Sequence, residues 1–145
     1  MKYICPLIVV EDIQRSRNFY ERILQQIVKF DFGENITFHG DFPIHLGSHY
    51  KTLIDNKEIK LGANNFELYF EFQDLEQIEQ SLKDNNVIFI HHIRQQPWQQ
   101  RVLRCYDPDN HIIEIGESME SVVHRLRKEG LSAEDIQKKT SLPIE

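Results

Sequence analysis

The chain has 145 residues, 40% hydrophobic and 28% charged, with a formal net charge of −6. That length suits one domain or two small modules sharing a core, and the negative charge argues against nucleic acid or an anionic membrane as the main partner. No apolar run approaches the ~20 residues that span a bilayer, and the opening MKYICPLIVVEDI lacks a small-residue cleavage site, which points to a first strand and a cytoplasmic protein.

Residues 2–10 are apolar and β-branched and predict a strand with Tyr3, Cys5, Leu7 and Val9 on one face. Asp12 stands as an N-cap, and Ile13, Tyr20, Ile23 and Leu24 recur at helical spacing through about Gln25. Strands are predicted at 27–32, 36–39 and 42–46, separated by the turn signals Gly33-Glu34-Asn35 and Gly40-Asp41. Residues 47–65 are polar and mixed and read as a connector, holding one helical turn around Thr52-Leu53-Ile54.

The pattern then restarts. Residues 66–72, FELYFEF, alternate strictly: Phe66, Leu68, Phe70 and Phe72 face one way, Glu67, Tyr69 and Glu71 the other. Asp74 is a second cap, with Gln77 placed to close a capping box, and Leu75, Ile78 and Leu82 form the helix stripe that Asn85-Asn86 end. A strand at 87–92, a loop at 93–100 marked by Pro97, and a strand at 101–106 follow. Asp107-Pro108-Asp109-Asn110 is turn chemistry, and 111–116 is the last strand. There Ile113 and Ile115 face one way and Glu114 the other, where a carboxylate is costly if buried unpaired and calls for a metal, a basic partner or water.

Residues 119–145 read as a helical tail. Met119, Val122, Val123 and Leu126 form a stripe, with Arg125, Arg127 and Lys128 suited to its C-terminus before Gly130. Ser132 opens a shorter helix with Asp135 at the capping-box position, stopped by Pro143. GLSAEDIQKKTSLPIE resembles the opening of a helix-turn-helix, but the chain ends at Glu145 before a recognition helix. A helical hairpin packed on the domain or across a dimer is the favoured reading.

The two halves repeat. A shift of 62 puts Cys5 on Glu67 and Asp12 on Asp74, and a shift of 69 puts His45 on Glu114. The fold class this implies is α+β: two βαβββ modules forming a cupped mixed sheet with helices on the outer face, plus a C-terminal helical extension. Module one spans 2–47, the connector 48–65 and module two 66–117, together one domain over 1–118.

Two strand-helix-three-strand modules, an Asp cap after each first strand, Phe19-Tyr20 in the first helix and the closing DPDNHIIEIGE resemble the glyoxalase/bleomycin-resistance/extradiol-dioxygenase superfamily, also called vicinal oxygen chelate, over about residues 2–117. The resemblance implies four metal ligands, one from the first and last strand of each module, at Cys5, His45, Glu67 and Glu114. Glu114 matches the family pattern as it stands; Cys5 replaces the usual His, His45 stands where Glu is commoner, and Glu67 where His is commoner. The residues themselves point the same way, since each is a metal-capable type lying opposite its strand's large apolar residues. Thiolate, imidazole and two carboxylates favour zinc, with nickel, manganese or iron behind it. Taken singly, each has a plainer reading: Cys5 as a core thiol, His45 as a bonded core histidine, the two glutamates as solvated.

What the resemblance implies for activity is a metal-dependent, glyoxalase-like lyase or isomerase acting on a small molecule with adjacent oxygens, Glu67 or Glu114 serving as base. A dioxygenase fits less well, because an extradiol His-His-Glu triad would match only at Glu114. The competing expectation is a metal-free drug- or metabolite-binding protein of the bleomycin-resistance kind, in a homodimer, for which the charge of −6 suits cationic ligands; a sensing or scaffold role through the tail is the third. Trp98 beside Arg101, with Tyr69, forms a candidate substrate wall. Which of Arg101 and Arg104 faces the cleft stays open, and His91-His92, adjacent on a strand, point to opposite faces and do not make a metal pair.

Overall fold

A computed structural model describes residues 1–143, so Ile144 and Glu145 of the tail lie outside the described residues. The chain forms two compact units, one of residues 1–66 with Asp107–His111 and one of Glu67–Tyr106 with Ile112 onward.

In the first unit, β1 (Ile8–Val10) leads into α1 (Ile13–Asn18), then β2 (Val28–Asp31), β3 (Asn35–Phe38), β4 (Phe42–Leu46) and α2 (Gly47–Leu53). Asp12 caps α1 as expected, its carboxylate accepting from the Gln14 and Arg15 amides at 3.0 and 2.9 Å. The helix then loosens into a π-helical turn, Phe19–Ile23, which buries both Phe19 and Tyr20. The strands order β1-β4-β3-β2, with β1 parallel to β4 and the other pairs antiparallel. Ile8, Val10, Ile36, Phe38, Phe42 and Ile44 close the core around Tyr20, whose ring tilts against Phe38 and Phe42 with centroids 5.6 Å away.

Two expectations change here. The first strand is Ile8–Val10, not 2–10: Tyr3 and Ile4 stay exposed at 78% and 68%, and only from Ile8 does β4 offer a ladder partner. The connector holds a seven-residue helix, α2, starting at Gly47, ahead of the single turn expected around Thr52.

The turn Asp107–His111 completes this unit. Asp107, 3% exposed, accepts from the amides of Asp109 and His111, from His111 Nδ1, and from the Tyr20 hydroxyl, the last at 2.8 Å. Asp109, 4% exposed, accepts from the Glu11 amide, Arg15 Nη2 and Ser16 Oγ. Both buried carboxylates are thereby satisfied.

In the second unit, β5 (Glu67–Glu71), α3 (Leu75–Asp84), β6 (Phe89–Gln95), β7 (Arg101–Tyr106) and β8 (Ile112–Gly116) precede α4 (Met119–Lys128) and α5 (Ala133–Thr140). The order β5-β8-β7-β6 repeats that of the first sheet, with β5 parallel to β8. Leu75, Ile78 and Leu82 of α3 are buried, as are Leu103, Cys105, Ile113 and Ile115. Cys105 thus behaves as a small hydrophobe. β6 runs through Gln95, three residues into the expected loop. Ser118 and Ser132 cap α4 and α5, and Val122, Leu126 and Ile136 form a separate small core between those helices, the hairpin expected of the tail. No helix among the described residues is long and apolar enough to cross a membrane.

The architecture is α+β, built of two βαβββ modules. The registers refine the repeat. Ile8 pairs with Ile44 and Leu68 with Ile113, so β1 and β5 correspond at a shift of 60 and Leu7, not Cys5, stands where Glu67 does. The caps correspond at 62 because Asp74 follows Phe70 by four residues, whereas Asp12 follows the equivalent Val10 by two.

Candidate functional site

On the second sheet, direct pairing puts Tyr69 opposite Glu114, Glu114 opposite Arg104 and Arg104 opposite His91. Paired residues on neighbouring strands project to the same face, so these four side chains form a polar row, joined by Glu67 from β5. Arg104 organises it. Its Nε donates to Glu67 at 3.0 Å, its Nη2 donates to Glu114, and its Nη1 donates to His91 Nε2 at 3.3 Å. His91 Nδ1 in turn donates to the His92 carbonyl, which fixes the ring as a neutral tautomer.

The charges follow from this geometry. Burial pushes the Glu114 carboxyl up despite the pull of Arg104, and nearby Glu67 adds to the rise. Burial works against the Arg104 charge, but Glu67 and Glu114 outweigh it and hold the guanidinium protonated. His91 is lowered, mainly by burial, with the Arg94 and Arg104 charges adding to it against the His92 carbonyl bond.

Beside the row, a buried glutamine ties two exposed aromatic side chains together. Gln100 is 5% exposed, whereas Trp98 and Tyr69 are 40% and 46% exposed. Its Oε1 accepts from Trp98 Nε1, and its Nε2 donates to the Tyr69 hydroxyl and the Glu117 carbonyl, all at 2.8 Å. Tyr69 donates to Glu71 at 3.0 Å, and burial together with Glu71 pushes its phenol up to about 12. Both rings are thus fixed with an apolar surface left open.

Arg101 is not part of that wall. Its Nη1 reaches Glu76 on α3 at 2.8 Å and its Nε reaches Glu117 at 3.3 Å, and Glu117 is also held by Arg125. The alternation of β7 sends Arg101 to the helix-covered side and leaves Arg104 on the polar row, which answers the question the sequence left open. Gln100 and Arg104 are the site residues that sequence reasoning missed or left undecided: alternation along residues 101–106 separates Arg104 from Arg101, and only the register of β7 on β8 says which of them meets Glu114.

In the first unit, His45 lies in β4 paired with Val9. Asn35 Nδ2 donates to its Nδ1 at 2.9 Å, so its Nε2 proton points to His49 Nδ1 at 2.8 Å, and Thr37 bonding to Asn35 Oδ1 fixes that orientation. Burial, then the neighbouring His49, lowers the His45 pKa against the pull of Glu34. Cys5 is half-buried and lies ahead of β1. The donor chemistry does not suit a resident divalent metal: both nitrogens of His45 are engaged, and Glu67 and Glu114 already share a guanidinium. Among the described residues no three His, Cys, Asp or Glu side chains group so as to hold a metal ion.

Comparison with known proteins adds the lineage. A protein of unknown function from Agrobacterium tumefaciens C58 is 38% identical, with a TM-score of 0.74 over 81% of this chain and 94% of its own. A member of the glyoxalase/bleomycin resistance protein/dioxygenase superfamily from Sphaerobacter thermophilus shares the fold at 21% identity and a TM-score of 0.62, over 81% of this chain and 98% of its own. So does a lactoylglutathione lyase from Agrobacterium tumefaciens, at 13% identity and a TM-score of 0.62, over 82% and 95%. No curated protein matches. The glyoxalase-like domain family matches residues 3–120, the stretch that holds both modules, and this chain belongs to that family.

Proposed function

We propose that this protein binds a small molecule directly on the polar row of the second sheet, without a metal, as a drug- or metabolite-binding protein of the bleomycin-resistance kind. The observation that carries this reading is Arg104 held between Glu67 and Glu114, where a bound metal would have to displace it. A buried charge already paired in this way is costly to strip of its partner. One guanidinium between two carboxylates leaves the row net negative. With Trp98 and Tyr69 fixed beside it, the site suits a flat ligand that bears a cation or hydrogen-bond donors. A homodimer and a cytoplasmic setting belong to the same proposal, and light scattering on the purified protein checks the first.

The test is a panel of planar aromatic cations with their neutral and anionic counterparts, read by thermal shift and by quenching of Trp98, the one tryptophan in the chain. Cations should bind, and Trp98→Ala and Tyr69→Ala should each weaken binding by about 1–3 kcal/mol. One equivalent of tightly held metal in untagged protein, lost in Cys5→Ala or Glu114→Gln, would sink the proposal.

The raised pKa of Glu114 favours a second reading, a lyase or isomerase for substrates with adjacent oxygens. Glu114 would take a proton from the carbon beside a carbonyl and return it to the neighbouring carbon, while Arg104 stabilises the intervening oxyanion and Glu67 sets the charge of the pair. Turnover of α-dicarbonyls or hemithioacetals, abolished in Glu114→Gln but insensitive to chelators, is the result this reading requires.

A further inference from the structure

A cleft of about 620 Å³ opens in the second unit where β5 ends against α4, lined by Glu71, Phe72, Glu120, Ser121, His124 and Arg127 among others. Its size lies in the range of small-molecule sites. It lies at the carboxyl ends of the two parallel strands, β5 and β8, where each chain turns toward the next helix.

The charges of this cleft are separated and unspent. Among the described residues no ion pair joins Arg127 to Glu71 or Glu120, and neither Arg127 nor Glu120 has a side-chain partner of its own. Among the same described residues Glu71 has only the Tyr69 hydroxyl. Glu120, His124 and Arg127 follow one another at four- and three-residue spacing along one side of α4, a helix of ten residues. Seven residues of helix rise about 10 Å, so the acid at one end of this line and the base at the other stand about 10 Å apart, with the imidazole between them about 6 Å from the acid. Phe72 and Val123, both half-buried, supply the apolar lining.

We infer that this cleft binds a short zwitterion of dipeptide length, with its carboxylate on Arg127 and His124, its ammonium on Glu120 and Glu71, and an apolar side chain against Phe72 and Val123. Length decides the class. The charged ends of a single amino acid are too close together to reach both poles, whereas two extended residues span about 7 Å. A net anion would meet two carboxylates and a net cation an arginine, so a ligand of either single sign leaves one pole unpaired.

The experiment uses the full chain, labelled with nitrogen-15 and titrated with L-leucyl-L-leucine, with L-leucine, and with the same dipeptide acetylated and amidated. The free dipeptide is expected to shift the amides of residues 71–73 and 118–127, L-leucine to bind more weakly, and the blocked dipeptide not to bind. Arg127→Gln and Glu120→Gln, both at exposed positions, should each weaken the dipeptide about tenfold while the far-ultraviolet spectrum stays unchanged. Absence of shifts at millimolar dipeptide, equal binding of the blocked form, or unchanged affinity in both variants overturns the inference. Glu71 is bonded through Tyr69 and Gln100 to Trp98, so the Arg127 and Glu120 variants, which touch no residue of the polar row, separate failure of this cleft from failure of that site.

Discussion

His111 and His45 lie in the same unit and respond to acid in opposite senses. His111 is held 2.8 Å from Asp107; burial opposes its charge, but the carboxylates of Asp107 and Asp109 outweigh it and raise its pKa. The folded state therefore holds this proton more tightly than the unfolded chain does. Its stabilisation is fully present below the ordinary imidazole range and is lost as pH rises through the raised value. His45 is lowered, so the unfolded chain takes its proton more readily and stability falls as pH drops through the imidazole range. The gap in unfolding free energy between the wild type and His111→Gln should thus be widest under acid conditions, about 2 kcal/mol, and should shrink toward alkaline pH. In His45→Gln the acid limb of the wild-type profile should flatten. Urea unfolding across a pH series measures both, and a His111→Gln gap independent of pH would show that the Asp107 bond does not carry its charge.

At the level of elements, Gly116 in β8 makes the aromatic bracket possible. A methyl group there would lie 2.9 Å from Gln100 Nε2, 3.1 Å from Val102 Cγ1 and 3.3 Å from Tyr69 Cε2. Gly116→Ala should push Gln100 off Tyr69 and Glu117, cost about 1–3 kcal/mol, and free Trp98, seen as a red-shifted emission more open to acrylamide. Unchanged emission would mean that the bracket yields without releasing its rings. Local signals made many elements readable beforehand: the caps at Asp12, Asp74 and Ser132 each bond within three residues, and the alternation of FELYFEF needs no partner to interpret. Arg104 needed one. Its bonds to Glu114 and Glu67 join residues 10 and 37 apart in the chain, and only strand register decides that Arg104 rather than Arg101 meets them. The same holds for Cys5, placed by a helix-cap shift that the strands do not follow, and for the π-helical turn at Phe19–Ile23, whose residues fit an ordinary helix equally well.

For the molecule as a whole, the repeat in sequence is not the division in space. Five residues from late in the chain, Asp107–His111, belong to the first unit, and they bring carboxylates to groups buried in it: Tyr20 and Ser16 are both 0% exposed, and their hydroxyls donate to Asp107 and Asp109. Loss of a buried polar partner costs about 1–3 kcal/mol, against a total stability of about 5–15 kcal/mol for a domain, and this turn supplies several such partners at once. Residues 1–66 expressed alone should therefore fail to give a folded module even though they carry every strand and helix of the unit. In the intact chain Asp109→Ala should cost roughly 2–3 kcal/mol by stripping the Glu11 amide, Arg15 and Ser16 together. Amide spectra of the fragment and urea unfolding of the variant check this. A well-dispersed spectrum from residues 1–66 would mean that the hydrophobic core around Tyr20 is sufficient and that the Asp-Pro-Asp turn only ornaments it. A collapsed spectrum rescued by adding the turn as a synthetic peptide would show that the repeat cannot be cut at its sequence boundary, because the first module is finished by the second half of the chain.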